Sequence, residues 1–150
     1  MLRYVGWSHL RKDDDQNVLG VLPSAFYLRD EENYLSVTWC EYFDGLPDES
    51  LRCAIEAIRG SIRVGGKARF ALANVGSIKS TMENEAGVKL RIEHLPEEDN
   101  PAHAAVKRWP NENFDLLELI ASDAWAETID ATSANALPMS ACALSPRATE

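Results

Sequence analysis

Cysteine, histidine and long apolar runs are all scarce in this chain. Its 150 residues include 3 cysteines, and their spacing matches neither a zinc knuckle nor a disulfide framework. We therefore expect Cys40 and Cys53 to be small packing residues and Cys142 to lie in a loose tail. No apolar run reaches the length of a membrane span, and the first residues do not resemble a secretory signal. These absences predict a soluble cytoplasmic protein with no membrane partner.

Positive charge is also in short supply. The chain has 15 lysine and arginine residues against 24 aspartate and glutamate residues, which gives a net charge of −9. Because nucleic-acid binding depends on a cationic surface that displaces counterions, this charge argues against general binding of nucleic acid. The acidic excess is concentrated in residues 96–150, which suits either a basic partner or a solvated surface.

The signatures of several enzyme classes are missing as well. Residues 64–67 read Val-Gly-Gly-Lys but lack the frame of a phosphate-binding loop, and no Gly-x-Ser-x-Gly elbow occurs. Three consecutive aspartates, at positions 13–15, do not converge on one ion, so we interpret them as a solvated loop. The sequence predicts no cofactor and no bound metal.

What the sequence does contain is one very strand-like segment, residues 34–43. Apolar and polar side chains alternate along it, with Leu35 and Val37 on the apolar face. This pattern predicts the central strand of a sheet that has one buried side. Because the polar residues 30–33 have the length of a hairpin connection, we expect residues 25–29 and 34–43 to form an antiparallel hairpin.

The rest of the chain mixes strands and helices without the regular alternation of a parallel sheet. The predicted fold class is α+β, with a mostly antiparallel sheet of about five strands and two main helices packed on one face. A single domain is expected over residues 1–130, and a flexible, disordered tail over 131–150. The other predicted elements are strands at 2–9, 67–74 and 88–95 and helices at 47–59, 101–109 and 114–129.

Two histidines are the main candidates for chemistry. His94 and His103 flank an acidic loop, which would place two imidazoles at one end of the sheet for acid–base catalysis or metal binding. By strand parity Glu41 faces the core side and needs a partner, which would be His94 or an arginine such as Arg91. With His94 it would form a catalytic couple or a structural ion pair; otherwise it reaches water at the strand end. The alternative is that His94 meets a backbone carbonyl and that His103 is an ordinary first-turn helix residue.

A group of cations is the second candidate site. Its members are Arg63, Lys67, Arg69, Lys89 and Arg91. If the strands that carry them are adjacent, their side chains form one patch on the sheet face that the helices leave open. Such a patch would bind phosphate or an acidic protein surface. The competing interpretation is charge that keeps an exposed face soluble.

Three functions are consistent with these patterns. The first is recognition of another protein by a small acidic domain, as an accessory or inhibitory subunit. The second is phosphoester or acyl hydrolysis by His94 and His103, with or without a metal. The third is phosphate or nucleic-acid binding through residues 63–69 and 89–91. The absence of known catalytic frames, together with aromatic residues suited to an interface, favours the first.

Overall fold

An antiparallel sheet lies at the centre of the computed structural model, which describes residues 1–146. Its strands are β1 (Leu2–Val5), β4 (Tyr34–Thr38), β5 (Arg69–Leu72), β6 (Arg91–His94), β7 (His103–Lys107) and β8 (Glu127–Asp130), while β2 (Leu10–Lys12) and β3 (Val18–Val21) form a separate hairpin. The order in the six-stranded sheet is β6-β7-β4-β1-β5-β8, and each neighbouring pair is antiparallel. The predicted α+β class and antiparallel sheet are confirmed.

Helices pack on both faces of this sheet. Among the described residues they are α1 (Pro47–Ser61), α2 (Val75–Ala86), α3 (Phe114–Ser122) and α4 (Ala131–Asn135). The two main helices, α1 and α3, lie on opposite faces instead of sharing one, because β1 buries Leu2 against α1 and Val5 in the core that contains α3. None of the helices within residues 1–146 has both the length and the apolar composition needed to cross a bilayer.

The central strand, β4, follows the predicted alternation. Leu35 and Val37 are buried in one core, while Tyr34 and Ser36 on the other face are only partly buried. The strand is shorter than expected, because the chain turns into a 3-10 helix at Cys40–Tyr42. Strand parity therefore does not extend beyond Thr38 and does not set the direction of the Glu41 side chain.

Two local predictions are wrong because contacts distant in sequence outweigh local signals. Residues 25–29 contain no strand, so the predicted hairpin does not form; Pro23–Phe26 is a 3-10 turn whose Phe26 packs against Trp109 and Trp125. The helix predicted at 101–109 is replaced by β7, a strand with a paired neighbour on each side. In both cases the partners that decide the conformation come from other parts of the chain.

The remaining helices agree with the sequence in part. The helix predicted at 47–59 is α1, and its start is stabilised where Glu49 Oε1 accepts a hydrogen bond from the Leu46 N–H at 3.0 Å. The helix predicted at 114–129 ends at Ser122 in α3, and the chain then continues into the edge strand β8.

The C-terminal segment packs against α1 rather than extending freely from residue 131. Cys53 is buried, as the sequence predicts, but it forms a disulfide with Cys142, so neither has only a packing or tail role. Further along, the Asp44 N–H donates to the Ala143 carbonyl oxygen at 2.7 Å. The segment is thus attached to the domain as far as the described residues extend, and residues 147–150 lie outside them.

β1 and β4 are neighbours that pair at one position only. Leu2 opposite Thr38 is their single register pair, whereas β1 pairs with β5, and β4 with β7, along their full lengths. Beyond Leu2 and Thr38 the two strands separate and leave a gap in the middle of the sheet. We call this gap the seam, and the candidate site lies in it.

Candidate functional site

A cleft of about 850 Å³ occupies the seam and is lined by residues from both faces of the sheet. One wall is formed by β1 and the residues that follow it, the opposite wall by β4 and the start of β7, and residues 24–29 lie across one mouth. A volume of this size is typical of ligand sites. The charged and polar residues among those that line the cleft include Arg3, His9, Ser24, Arg29, Glu32, Ser36, Glu97 and His103.

Arg3 is the least expected side chain in the cleft. Its Nε donates to the Ala25 carbonyl oxygen at 3.0 Å and its Nη1 to the Ser36 carbonyl oxygen at 2.6 Å. Burial is the main cause that lowers the pKa of this guanidinium to about 10, while Glu32 raises it and Arg29 lowers it. The group nevertheless stays protonated at neutral pH.

The Arg3 guanidinium has no counter-ion at ion-pair distance in the part of the chain that the structure describes. Among residues 1–146, none of the ion pairs formed within 4.0 Å includes Arg3. A desolvated cation without a carboxylate is costly, and that cost falls when an anion binds beside it. The planar fork of a guanidinium suits a carboxylate or a phosphate, so Arg3 makes the cleft a candidate anion site.

His103 and its neighbours form the wall on the β7 side. His103 is 5% exposed, and its Nδ1 donates to the Leu95 carbonyl oxygen at 2.7 Å. In the neutral ring this hydrogen bond leaves the lone pair on Nε2, which lies 3.6 Å from Glu97 Oε1. Asn100 Nδ2 donates to Thr38 Oγ1 at 2.9 Å and ties the same loop to β4. This wall therefore presents polar groups in fixed orientations.

A second polar pair lies at the mouth that residues 24–29 cross. His9 Nδ1 and Ser24 Oγ are 2.9 Å apart, a distance that suits a nucleophile and its base. A hydrolase would also need a group that orients the imidazole through its other nitrogen, and the hydrogen bonds of the described residues include none for His9 Nε2. The pair is therefore best described as a polar rim of the cleft.

His94 and His103 are not brought together by the structure. His94 pairs with Ala104 in the register of β6 and β7, so the side chains of His94 and His103 point to opposite faces of the sheet. The His94 Nε2 donates to the Pro101 carbonyl oxygen at 2.7 Å. Its ring centroid lies 5.2 Å from that of Tyr42. His94 thus has the backbone-carbonyl partner that the sequence offered as the alternative to catalysis.

Glu41 does not pair with His94. It belongs to the 3-10 turn after β4, where it is exposed and accepts a hydrogen bond from Trp39 Nε1 at 3.0 Å. The parity argument that placed it toward the core assumed that β4 continued to residue 43. Because the strand ends at Thr38, the carboxylate reaches solvent and needs no buried partner.

The predicted cationic patch is divided between distant parts of the sheet. The residues predicted to form the patch are Arg63, Lys67, Arg69, Lys89 and Arg91. β5 and β6, the strands on which the patch depends, are separated by β1, β4 and β7. At the usual spacing of strands this separation is roughly 19 Å. Arg91 is also neutralised locally, since its Nε lies 2.6 Å from Glu93 Oε1. These side chains therefore do not form one surface.

A second cleft, of about 860 Å³, lies near the starts of α1 and α2. Its lining residues include four carboxylates and no lysine, arginine or histidine; the carboxylates are Glu41, Asp48, Asp123 and Glu127. Nowhere in residues 1–146 do three or more histidine, cysteine, aspartate or glutamate side chains gather closely enough to hold a metal ion. The seam cleft is the better candidate because it combines a buried cation with oriented polar groups.

The sequence gives little sign of this site. Arg3 and Ser36 are 33 residues apart and belong to no recognisable motif. The one local hint is an arginine within a short strand whose neighbours are apolar, since such a position normally excludes a charge.

Comparisons with known proteins assign no family to this chain. No protein-family model matches its sequence, no curated protein matches it, and no solved structure matches its fold.

Proposed function

We propose that this protein acts by recognition rather than by catalysis, and that its seam cleft binds a ligand through a carboxylate or phosphate group. The observation that supports the proposal is the Arg3 guanidinium, which lines the cleft and has no carboxylate within 4.0 Å among residues 1–146. Its Nε and Nη1 are each occupied by one carbonyl oxygen, and hydrogen-bonding capacity remains on Nη2.

The charge of the whole chain makes this cation more notable. A protein with a net charge of −9 has many carboxylates. The carboxylate that raises the pKa of Arg3 is that of Glu32, and it does not lie within ion-pair distance of the guanidinium. An incoming anion would supply the missing charge and would lower the cost of burying the guanidinium. The acidic surface would at the same time disfavour anions that bind elsewhere.

Catalysis has weaker support than recognition. The proposed hydrolase needs two imidazoles at one reacting centre, but His94 and His103 lie on opposite faces of the sheet. Nucleic-acid binding needs adjacent cationic strands, and β5 and β6 are not adjacent. Recognition requires only the cleft and the Arg3 guanidinium that lines it.

Calorimetric titration with simple anions tests the proposal. The probes are inorganic phosphate and glutarate, with glutaramide as the uncharged control for glutarate. We expect measurable binding of at least one anion at low salt, no binding of glutaramide, and a loss of at least about tenfold in affinity for Arg3→Gln. Arg63→Gln is the matched control, since Arg63 is exposed and does not line the cleft.

Two results would contradict the proposal. One is the absence of binding by both anions to the wild-type chain. The other is an affinity that Arg3→Gln and Arg63→Gln change equally. Arg3→Lys keeps the positive charge and should retain part of the affinity, which separates loss of the anion site from loss of the fold.

A further inference from the structure

We infer that the ligand of the seam cleft is an extended peptide segment of a partner protein, which carries an acidic side chain and lies alongside β4 as an added strand. This inference rests on the proposed function, because it takes the Arg3 guanidinium as the group that binds the acidic side chain. The additional support comes from the backbone of β1 and β4 and from apolar side chains at the cleft.

The backbone of β1 turns unpaired groups toward the seam. Met1 N donates to the Ala73 carbonyl oxygen at 2.8 Å, and Ala73 N donates to the Met1 carbonyl oxygen at 3.0 Å. Since hydrogen-bonding direction alternates along an antiparallel strand, the backbone groups of Leu2 and Tyr4 point away from β5 and toward β4. Leu2 is paired with Thr38, but Tyr4 lies beyond that pair. The Tyr4 N–H and C=O therefore face the seam.

The backbone of β4 also directs hydrogen-bonding groups toward the seam, from the side opposite β1. Trp39 N donates to the Ala102 carbonyl oxygen at 2.8 Å, on the β7 side. By alternation the backbone groups of Ser36 and Tyr34 point toward β1. The Arg3 contact with the Ser36 carbonyl oxygen at 2.6 Å agrees with this direction. The Ser36 N–H and both backbone groups of Tyr34 then remain for a ligand.

A peptide backbone matches this arrangement better than a small anion does. An added strand offers alternating N–H and C=O groups at the spacing of a strand, and can bond to unpaired groups along β4. A free carboxylate such as glutarate accepts hydrogen bonds but cannot donate to the Tyr4 and Tyr34 carbonyl oxygens. Tyr27 and Ile62 also line the cleft with 41% and 45% of their surface exposed, which gives neighbouring peptide side chains an apolar contact.

Peptide selection and amide exchange test this inference together. Random heptapeptides displayed on phage are selected on the full chain, and enriched sequences are synthesised with blocked ends. We expect an Asp or Glu at one fixed position and an affinity at least about tenfold above that of glutarate. N-methylation of alternate peptide amides should lower that affinity at least about tenfold, because each methyl group removes the donor of one strand hydrogen bond.

Hydrogen exchange locates the bound strand. The amides of Tyr4 and Ser36 should exchange at least about tenfold more slowly when a selected peptide is bound. The Val37 amide is the control, because it already faces β7 in the ladder and should change little.

The possible failures are distinguishable from one another. If glutarate binds through Arg3 but no peptide binds more tightly, or if N-methylation has no effect, the added strand is wrong and the anion site stands. Selected peptides that lack an acidic residue at a fixed position would also overturn the inference. If neither glutarate nor any peptide binds, both the inference and the proposed function fail.

Discussion

The Arg3 guanidinium and the Ser36 carbonyl oxygen, 2.6 Å apart, connect β1 to β4 at a place where these strands no longer pair. Had the strands stayed in register, the backbone of Tyr4 would face Ser36 there. The Arg3 side chain therefore provides a hydrogen bond between β1 and β4 at a position where their backbones are not paired, and the seam stays open there. Stability and the proposed ligand binding thus depend on the same residue.

Replacing Arg3 by Met should destabilise the free protein. The substitution keeps most of the apolar stem but leaves the carbonyl oxygens of Ala25 and Ser36 without a donor, which we expect to lower the free energy of unfolding by about 1–2 kcal/mol. Urea denaturation measures the change, with Arg63→Met as a surface control expected to stay within about 0.5 kcal/mol. A variant more stable than wild type would show that burial of the charge outweighs its hydrogen bonds.

Two buried tryptophans should respond differently to the same substitution. Trp109 Nε1 donates to the Phe26 carbonyl oxygen at 2.8 Å, whereas Trp125 Nε1 is buried without a partner in the part of the chain that the structure describes. Trp109→Phe removes a hydrogen bond and leaves an unpaired acceptor, while Trp125→Phe removes an unpaired donor. We expect Trp109→Phe to cost about 1 kcal/mol more in unfolding free energy. Equal costs would indicate that cavity formation dominates both.

Reduction of the Cys53–Cys142 disulfide should lower stability strongly. The bond joins residues 89 apart in sequence. The loop entropy of the unfolded chain then predicts a loss of about 4–5 kcal/mol. Urea denaturation with and without reductant measures this loss. In Cys40→Ser the response to reductant should be unchanged, because the Cys40 thiol is free.

The same disulfide bears on where the protein resides. Disulfides of this kind are typical of oxidising compartments and rare in a reducing cytosol. The cytoplasmic location predicted from the sequence stays a prediction, and this bond is the feature that argues against it. Thiol labelling of the native protein, taken directly from cells, would measure how much of it is oxidised.

Arg52 should stabilise the C-terminal segment more than Arg59 does. The Arg52 Nη1 donates to the carbonyl oxygens of Ala134, Asn135 and Leu137 at 3.1, 2.9 and 3.0 Å. We expect Arg52→Met to cost about 1–3 kcal/mol, since it removes the side-chain donor from the Asn135 and Leu137 carbonyl oxygens, whereas Ala134 O keeps the Leu137 N–H. Arg59→Met should cost less, because the main polar contact of Arg59 is a partly exposed ion pair with its helix neighbour Glu56. Similar losses in the two variants would contradict this account.

The contribution of Asp130 should depend on pH. The Ser133 N–H donates to Asp130 Oδ1 at 2.7 Å, and this hydrogen bond is the main cause that lowers the pKa of the carboxyl from its ordinary 3.8. The unfolded chain then takes up the proton near pH 3.8 and the folded chain only at lower pH, so the stabilisation is present above that value and is lost as pH falls below it. Asp130→Asn keeps an acceptor oxygen but cannot titrate.

Thermal unfolding of wild type and Asp130→Asn over about pH 2 to pH 6 measures this effect. The advantage of the wild type should be constant at the upper end of the range and should shrink below the ordinary aspartate pKa. A stability difference between the wild type and Asp130→Asn that does not change with pH would show that the hydrogen bond is equally strong with Asp and with Asn.

Local sequence patterns are enough to predict the strands and helices that bury a single face against the core. Leu35 and Val37 alternate with polar residues, and β4 is the central strand that this predicts. The apolar stripe of α1 likewise identifies the helix to within two residues at its C-terminal end. In these elements the side chains that face the core are set by the period of the backbone itself.

The other elements and the candidate site depend on contacts with distant parts of the chain, which local sequence patterns do not identify. His103 lies after Asn100 and Pro101, a sequence typical of a helix start, yet β4 and β6 pair with it on both sides and make a strand. The site is missed for the same reason, since the Arg3 and Ser36 contact exists only because β1 and β4 separate. Tertiary pairing decides both, and it cannot be read from windows of a few residues.

The bond between Cys53 and Cys142 closes the second half of the chain into a covalent ring that contains β5, β6, β7 and β8. A protease that cuts one loop inside this ring releases no fragment, and the nicked molecule migrates as a single species until it is reduced. Cuts before residue 53 have no such protection, and β1 and β4 lie there. Limited proteolysis on non-reducing gels therefore reports selectively on the half of the molecule that contains the seam.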